Sequence, residues 1–567
     1  MPRDQKLSDA TIKEFADAYN AGGTLRAAAK RLNISAGRAS HKRYRRALEM
    51  GLIDNPGHIG NRTKEELTAL VSGSVYALPS RDLTPPAKGE VRRYIVTCAQ
   101  NNTHLNKAVW ENLLALARHY DAAILVSRFV YDKRTHEQMD KDTYTKSQAH
   151  SSEVSWAEEI TPYLCDERVT LAPGLVFCGE MNILPTAVRP LSGMEAYTGR
   201  KSAIFPHVKV AMESVPSGAH EGTKFVYTTG TVTQRNYIQR KAGLKADFHH
   251  VYGGLLVEVD SDGDWFVRQL NADSDGTIYD LTLDVKDGDV VDWYAIGKDS
   301  TLIEAINWGD IHASEVDPVV SELAWGEGGM LDVLRPRHQF LHDVFSFRSR
   351  NRFERRNPHK VFEQYVKNSD NVRAELAKTG NLVEEVIARS WCKTLIVESN
   401  HDNALERWLR DEPGWYASDP QNALVFLCLQ ITKYEAMERR DDNFLLIEHA
   451  LRHYSKLKVA TAKFLRQDES FIICPDAGGG IECGMHGYLG PNGTLGSAVA
   501  FAKMGRKANV GHTHKAGIHD GVYTAGTSSF VNLPYNRGPS SRSQSHILTY
   551  KNGKRAIITC WNGKWRA

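Results

Sequence analysis

The run Thr394-Leu-Ile-Val-Glu-Ser-Asn400-His401-Asp402 passes from apolar residues straight into three polar ones. A short, β-branched apolar run of this kind predicts a buried strand, so the polar triplet is delivered at the strand's end. Asn400 offers a carbonyl ligand there, and His401 beside Asp402 reads as an oriented imidazole. Four other stretches repeat the pattern on either side. Ala305-Ile-Asn-Trp-Gly-Asp310-Ile-His312 ends in Asp-x-His, and residues i and i+2 of a strand share a face, so Asp310 and His312 can grip one cation. Phe340-Leu-His-Asp343-Val-Phe supplies a carboxylate whose two oxygens can bridge two metals. Glu482-Cys-Gly-Met-His486-Gly and Val510-Gly-His512-Thr-His514 add three imidazoles, with glycines that permit close approach of backbone and ligand. Each piece alone is more often a turn with a satisfied histidine than a metal site.

Taken in order, Asp-x-His, Asp, Asn-His-Asp, His and Gly-His-x-His resemble the signature of the calcineurin-like metallophosphoesterase superfamily, over residues 301–567. The resemblance implies a two-layered β-sandwich flanked by helices, with two divalent cations at the strand ends. Carried over by position, Asp310, His312, Asp343 and His514 would hold the first metal, and Asp343, Asn400, His486 and His512 the second. His401 would protonate the leaving oxygen, with Asp402 as its orienting partner. Two cations about 3.5–4 Å apart lower the pKa of a water and neutralise phosphoryl charge. An all-nitrogen and oxygen donor set favours Mn2+, with Fe2+, Zn2+ or Mg2+ as alternatives. The sequence departs from the family's pattern at His342 and Ser399, which stand where glycines are usual, and at Ser346, which replaces a second acid. His449 and His453 compete with His486 on paper, but their helical setting makes them core or surface histidines, and Cys483 reads as packing.

Basic residues point to the substrate. Arg335, Arg337, Arg348, Arg350, Arg352, Arg355 and Arg356 surround Asp343 and alternate with phenylalanines, a composition that suits phosphodiester oxygens and exposed bases. The bland alternative is a solvated or subunit-contact loop. Near the N-terminus two helical patterns are followed by the break Asn33-Ile-Ser-Ala-Gly and a helix carrying Arg38, Lys42, Arg43, Arg45 and Arg46. That is a helix-turn-helix pattern with cations where phosphates would lie, or else a hairpin for protein contact. The chain's average composition gives no such lead: 71 Lys and Arg against 68 Asp and Glu leave a charge of only +3.

The chain's 567 residues, 41% hydrophobic and 25% charged, suit three or four globular units. The expected class is α/β (α+β), divided into a helix-turn-helix domain (1–53), a Gly, Pro and Ser-rich linker (54–90), an α/β domain (91–300) and the metallophosphoesterase-like domain (301–567). Within the third, Tyr94-Ile-Val-Thr-Cys, the amphipathic stretch Lys107–Tyr120 and Ala122-Ala-Ile-Leu-Val predict a strand-helix-strand unit. Asp260-Ser-Asp-Gly-Asp imitates a calcium loop, but it lacks the closing glutamate and reads as a hairpin turn. Eight cysteines without Cys-x-x-Cys spacing make a disulfide framework improbable, and no long apolar run predicts a membrane span. A cytoplasmic location follows from these readings. A domain of this size without a catalytic constellation also suggests a homo-oligomer.

The whole arrangement is further similar to the first-step DNA-transfer DNases of T-five-like phages. That resemblance implies hydrolysis of host DNA in the infected bacterial cytoplasm and a partner among other phage DNA-transfer proteins. Two other classes fit the same ligands: a phosphatase or cyclic-nucleotide phosphodiesterase with a small closed pocket, and a non-catalytic DNA-binding protein of a phage.

Overall fold

The computed structural model describes residues 8–22, 25–34, 38–53, 80–83, 86–131, 156–218, 221–297, 302–351, 354, 357–411, 415–457, 461–467, 469–533 and 538–567. The chain forms two compact units, Met1–Pro79 and Ser80–Ala567. In the first, helices Asp9–Gly22, Leu25–Arg31 and Arg38–Glu49 close around Ile12, Phe15, Tyr19, Ala28, Tyr44 and Ala47. The small residues of the second helix let the other two approach, and the Tyr19 and Tyr44 rings meet at 4.8 Å.

The second unit is a mixed α/β structure, as the alternation of periods 2 and 3.6 predicts. Its strand-helix-strand unit is present: Val91–Gln100 and Ala122–Phe129 pair in parallel, with helix Lys107–Tyr120 between them. Asn106 caps that helix and Asp121, in the left-handed region, ends it. The expected break at residue 300 lies inside this unit. An eleven-stranded sheet takes strands Ser80–Asp82, Arg168–Ala172, Leu175–Cys178, Ser202–Phe205, Met212–Val215 and Lys224–Thr228 from one side of that break. From the other side it takes Ile472–Ile473, Ile481–Glu482, Lys507–Val510, Gly517–His519 and Val522–Thr524. The two groups of strands join where Ile518 pairs with Met212. Residues 54–79 of the expected linker lie outside the described residues. Its end does not behave as a linker, because Ser80–Asp82 pairs in parallel with Arg168–Thr170. That pairing is made by backbone groups, which a polar sequence supplies as well as an apolar one.

Strands Ile303–Asn307, His338–His342 and Lys393–Val397 run parallel at the centre of a six-stranded sheet. Their side chains alternate between two cores. Ala305, Phe340, Leu395 and Val397 face Ile473, Ile481 and Cys483 of the eleven-stranded sheet. Ile306, Leu341 and Ile396 face helices through Val320, Leu334, Leu376, Leu405 and Leu451. Two sheets thus pack face to face with helices outside one of them, and all three central strands end on the same side.

The Asp260–Asp264 turn joins strands Gly253–Asp260 and Trp265–Asn271 as a hairpin. Its carboxylates converge on a cation already supplied by the chain: Lys564 Nζ lies 2.5 Å from Asp260, 3.0 Å from Asp262 and 3.2 Å from Asp264. Among the described residues no helix is long and apolar enough to cross a membrane.

Candidate metal centre

Every one of the five polar motifs follows the C-terminal end of a strand. Asp310 and His312 follow Ile303–Asn307, Asp343 follows His338–His342, and Asn400 and His401 follow Lys393–Val397. His486 follows Ile481–Glu482, and His512 and His514 follow Lys507–Val510. Parallel pairing puts these ends together, which is where open α/β sheets present functional loops.

Asp310, His312, Asp343 and His514 are all buried and each offers a ligand atom within 4.8 Å of the others. His514 Nε2 is 3.1 Å from Asp310 Oδ2, and His312 Nε2 is 3.6 Å from Asp343 Oδ2. The Nε2 atoms of His312 and His514 face each other at 3.0 Å. His486 spans both carboxylates, with Nε2 3.3 Å from Asp343 Oδ2 and Nδ1 4.0 Å from Asp310 Oδ1. His512 lies outside the four-residue group, half-buried, its ring 5.3 Å from that of His486. The Asn400 amide oxygen is buried without a hydrogen-bond partner. So are both oxygens of Asp310, Oδ1 of Asp343 and both nitrogens of His486. Buried polar atoms are nearly always satisfied, so orphans gathered in one place call for a group that would satisfy them. Oxygen and imidazole donors around two buried carboxylates fit a divalent cation.

Electrostatics give the same picture. Burial would lower His486, but Asp343 and Asp310 outweigh it and lift its pKa to about 9. Burial would raise Asp343; the surrounding histidines, His486 first, hold it well below the usual carboxylate range. Burial pushes His312 down to about 3, so it is a neutral donor. The backbone is unusual too: His312, Asp343, His512 and His514 have φ of 48°, 49°, 71° and 55°. Left-handed non-glycine residues each cost about 1–3 kcal/mol and persist where surrounding bonds impose them. Here His312 N–H donates to the Asp343 carbonyl at 2.8 Å, and Asp310 N–H to the Gly526 carbonyl at 3.1 Å.

His401 Nδ1 is 2.8 Å from the Ser346 carbonyl, which leaves Nε2 free. The expected orienting role of Asp402 is not what the structure shows. Asp402 Oδ2 accepts from Ser399 N–H at 2.9 Å while Ser399 Oγ accepts from Asp402 N–H at 3.2 Å, a reciprocal capping box opening helix Asp402–Asp411. Ser399, in the place of a glycine, is therefore that helix's N-cap, and Asp402 holds the turn on which Asn400 and His401 sit. Burial, with Asp343 nearby, raises Asp402 to about 7.

Three contributors went unassigned in the sequence. His342 is fully buried beside His486, with ring centroids 5.7 Å apart and neither ring nitrogen bonded. Glu375 fixes the loop after Asp343, accepting from Arg348 N–H at 2.8 Å, Ser349 N–H at 2.9 Å and Ser349 Oγ at 2.6 Å. Gly511 lies so close to Asp310 that a Cβ there would be 2.3 Å from Oδ1. His449 and His453 stack on each other on helix Leu446–Tyr454, and Cys483 is packed near Asn307.

The arginines divide. Arg350 makes a two-point pair with Asp419 at 2.5 and 2.6 Å and is largely buried. Arg348 bonds Glu315 at 3.0 Å and Glu354 at 3.3 Å. Both are structural ties, not free cations on a rim. Arg335 stacks over Trp391 at 4.9 Å, and Arg337 is exposed, 3.7 Å from Glu304. Arg352, Arg355 and Arg356 lie outside the described residues. On the N-terminal helix Lys42 and Arg46 are exposed and Arg43 is half-buried; the side chains of Arg38 and Arg45 lie outside the described residues.

Comparison with known proteins finds 38% identity over 484 residues to Protein A1 of Escherichia phage T5, covering 84% of this chain and 83% of that protein. The chain belongs to the Protein A1 family. The aligned share is large enough that the match extends over both sides of residue 300. No family model matches the chain, and no solved structure matches it.

Proposed function

We propose that this Protein A1 relative is a metal-dependent phosphodiesterase acting on DNA, encoded by a phage and directed at host DNA during phage DNA transfer. The observation that carries the reading is the convergence of Asp310, His312, Asp343 and His514, with His486 across both carboxylates, where the buried carboxylate oxygens meet imidazoles but, among the described residues, no Lys or Arg. Asp310, His312, Asp343 and His514 would hold one cation; Asp343, Asn400, His486 and His512 would hold a second. Bound there, divalent cations, Mn2+ by preference, would neutralise phosphoryl charge and make water a better nucleophile.

The chain's own residues supply the rest. His401 donates its Nδ1–H to the Ser346 carbonyl, which aims Nε2 outward; as imidazolium the ring would pass its Nε2 proton to the leaving oxygen and be left neutral, with Nδ1–H still on Ser346. Glu375 holds the loop that carries Ser346, and so sets the ring's angle. The capping box keeps Asn400 and His401 in register with Asp343.

A second reading, hydrolysis of a small phosphoester, is favoured by one observation: Arg348 and Arg350 are committed to carboxylates, which leaves fewer arginines for a polynucleotide groove. The deciding experiment incubates purified protein with plasmid and with a chromogenic phosphodiester, in EDTA and then in manganese, magnesium or zinc. Manganese-dependent loss of plasmid, abolished by Asp310→Ala, supports the nuclease. Cleavage of the small ester alone supports the second reading, and no cleavage with metal bound removes both.

A further inference from the structure

A second cavity lies at the other end of the sheet from the metal ligands. Its volume is 630 Å³, within the range of small-molecule sites. Lys507, at the start of strand Lys507–Val510, lines it; His512 follows the opposite end of the same strand, about 15 Å away at a strand's rise per residue. Arg506, Lys554 and Arg555 line it too, with Lys209 and the carboxylate Asp520.

The charges do not cancel. Asp520 is taken up by Lys209, and by His249 at 3.7 Å and His519 at 3.4 Å. Arg555 is buried and, among the described residues, pairs with no carboxylate: it donates to the Ala508 carbonyl at 3.0 Å, Asn509 Oδ1 at 2.8 Å and the Gly521 carbonyl at 2.7 Å, and stacks over Tyr523 at 3.9 Å. Lys507 Nζ donates to the Ala477 carbonyl at 3.3 Å and, among the described residues, pairs with no carboxylate. Asp273 is the further carboxylate that acts on Lys507 and Lys554. Among the described residues four cations besides Lys209 line the cavity, and the one carboxylate lining it, Asp520, is already taken up. Burial lowers the pKa of both lysines, helped for Lys507 by its neighbours Arg555 and Lys554 and opposed in both by Asp273.

At the mouth stands Phe248, the last aromatic of helix Lys241–His249, 83% exposed although it lines the cavity. A solvent-facing ring beside a cationic pocket is the pairing that recognises a base and its phosphate together.

We propose that this cavity binds a nucleotide, its phosphate among Arg506, Lys507, Lys554 and Arg555 and its base against Phe248. The site is separate from the metal centre and does not depend on what that centre hydrolyses. Calorimetric titration of the full chain in EDTA, where no metal can recruit phosphate, tests it with dAMP, inorganic phosphate and deoxyadenosine. Binding of dAMP at least tenfold tighter than phosphate, with none for deoxyadenosine, is expected. Arg506→Gln and Lys554→Gln should each weaken dAMP at least tenfold, and Phe248→Ala should weaken dAMP but leave phosphate alone. Phosphate binding as tightly as dAMP would overturn the nucleotide assignment. Absence of dAMP binding, indifference to both cation variants in folded protein, or loss of binding in Asp343→Asn would overturn the site.

Discussion

Substituting Gly511 by alanine tests the metal centre by the smallest perturbation the fold offers. Gly511 sits one residue before His512 without a left-handed backbone, so alanine is tolerated by its local conformation. The added methyl would meet Asp310 Oδ1 at 2.3 Å and His342 Cβ at 3.3 Å. A contact below 3.0 Å is not sustained, so the carboxylate must retreat by about 0.7 Å or rotate away. Asp310 is enclosed on its other side by His514 at 3.1 Å and held by backbone bonds through Gly526 and Ser528, so it has little room to follow. Displacements of about 1 Å in a reacting constellation cost on the order of 100-fold, and disturbed support of a ligand about 10–100-fold in metal affinity. Gly511→Ala should thus lose about 1.4–2.7 kcal/mol of manganese binding. Calorimetric titration of EDTA-stripped protein measures this, alongside the melting temperature of the metal-free form. A folded Gly511→Ala protein that binds manganese as the natural one does would refute the assignment of Asp310 as a ligand.

His401→Ala should keep manganese and DNA binding while turnover falls about 100- to 10,000-fold, the span of a positioned proton donor; natural turnover would remove that role. Arg350→Ala should lower unfolding free energy by about 1.5–3 kcal/mol by removing the charged pair from buried Asp419, to which Asn422 Nδ2 still donates at 3.0 and 3.2 Å, read from urea midpoints, and leave DNA affinity unchanged. A loss of DNA affinity at natural stability would restore Arg350 to the rim. Burial lowers His207 to about 4 and His250 and His546 to about 3. The unfolded chain protonates these near pH 6.5 and the folded one refuses the proton, so stability should fall below that pH by about 1.4 kcal/mol per unit per group. Equal urea midpoints at pH 7.5 and 5.0 would show that these rings are not buried neutral.

What could be read from the sequence was local. Helix Lys107–Tyr120 and the strand ends bearing Asp310, Asp343 and Asn400 follow from periodicity and from the polar residues that interrupt it. Partner choice was not local. Nothing in Met212–Val215 announces that it will pair with Gly517–His519 about 300 positions on, and that pairing is why a break at residue 300 is invisible in the sheet. Charge density misled for the same reason. Arg350 looks available until Asp419 is found 69 positions away, and the Asp260–Asp264 turn looks like a cation site until Lys564 arrives from the C-terminus. The capping box was legible, since Ser-x-x-Asp before a helix is a known opening, but the polar triplet it carries drew attention to its chemistry instead.

Strain and dissatisfaction locate the site more sharply than composition does. Four proposed ligands, His312, Asp343, His512 and His514, adopt backbone conformations that stability alone would avoid, and beside them Asp310 and Asp343 are buried with imidazoles as their charged neighbours. Such costs persist together only where surrounding structure enforces them. The enforcing elements here are Gly511, whose missing Cβ leaves Asp310 its place, Glu375, which gathers three donors of the loop beyond Asp343, and the Ser399–Asp402 box. None of the three is itself a proposed ligand, yet each supports a residue or loop of the centre. The centre should therefore be as sensitive to Glu375 and Ser399 as to the histidines, and variants there should weaken metal binding before they unfold the chain.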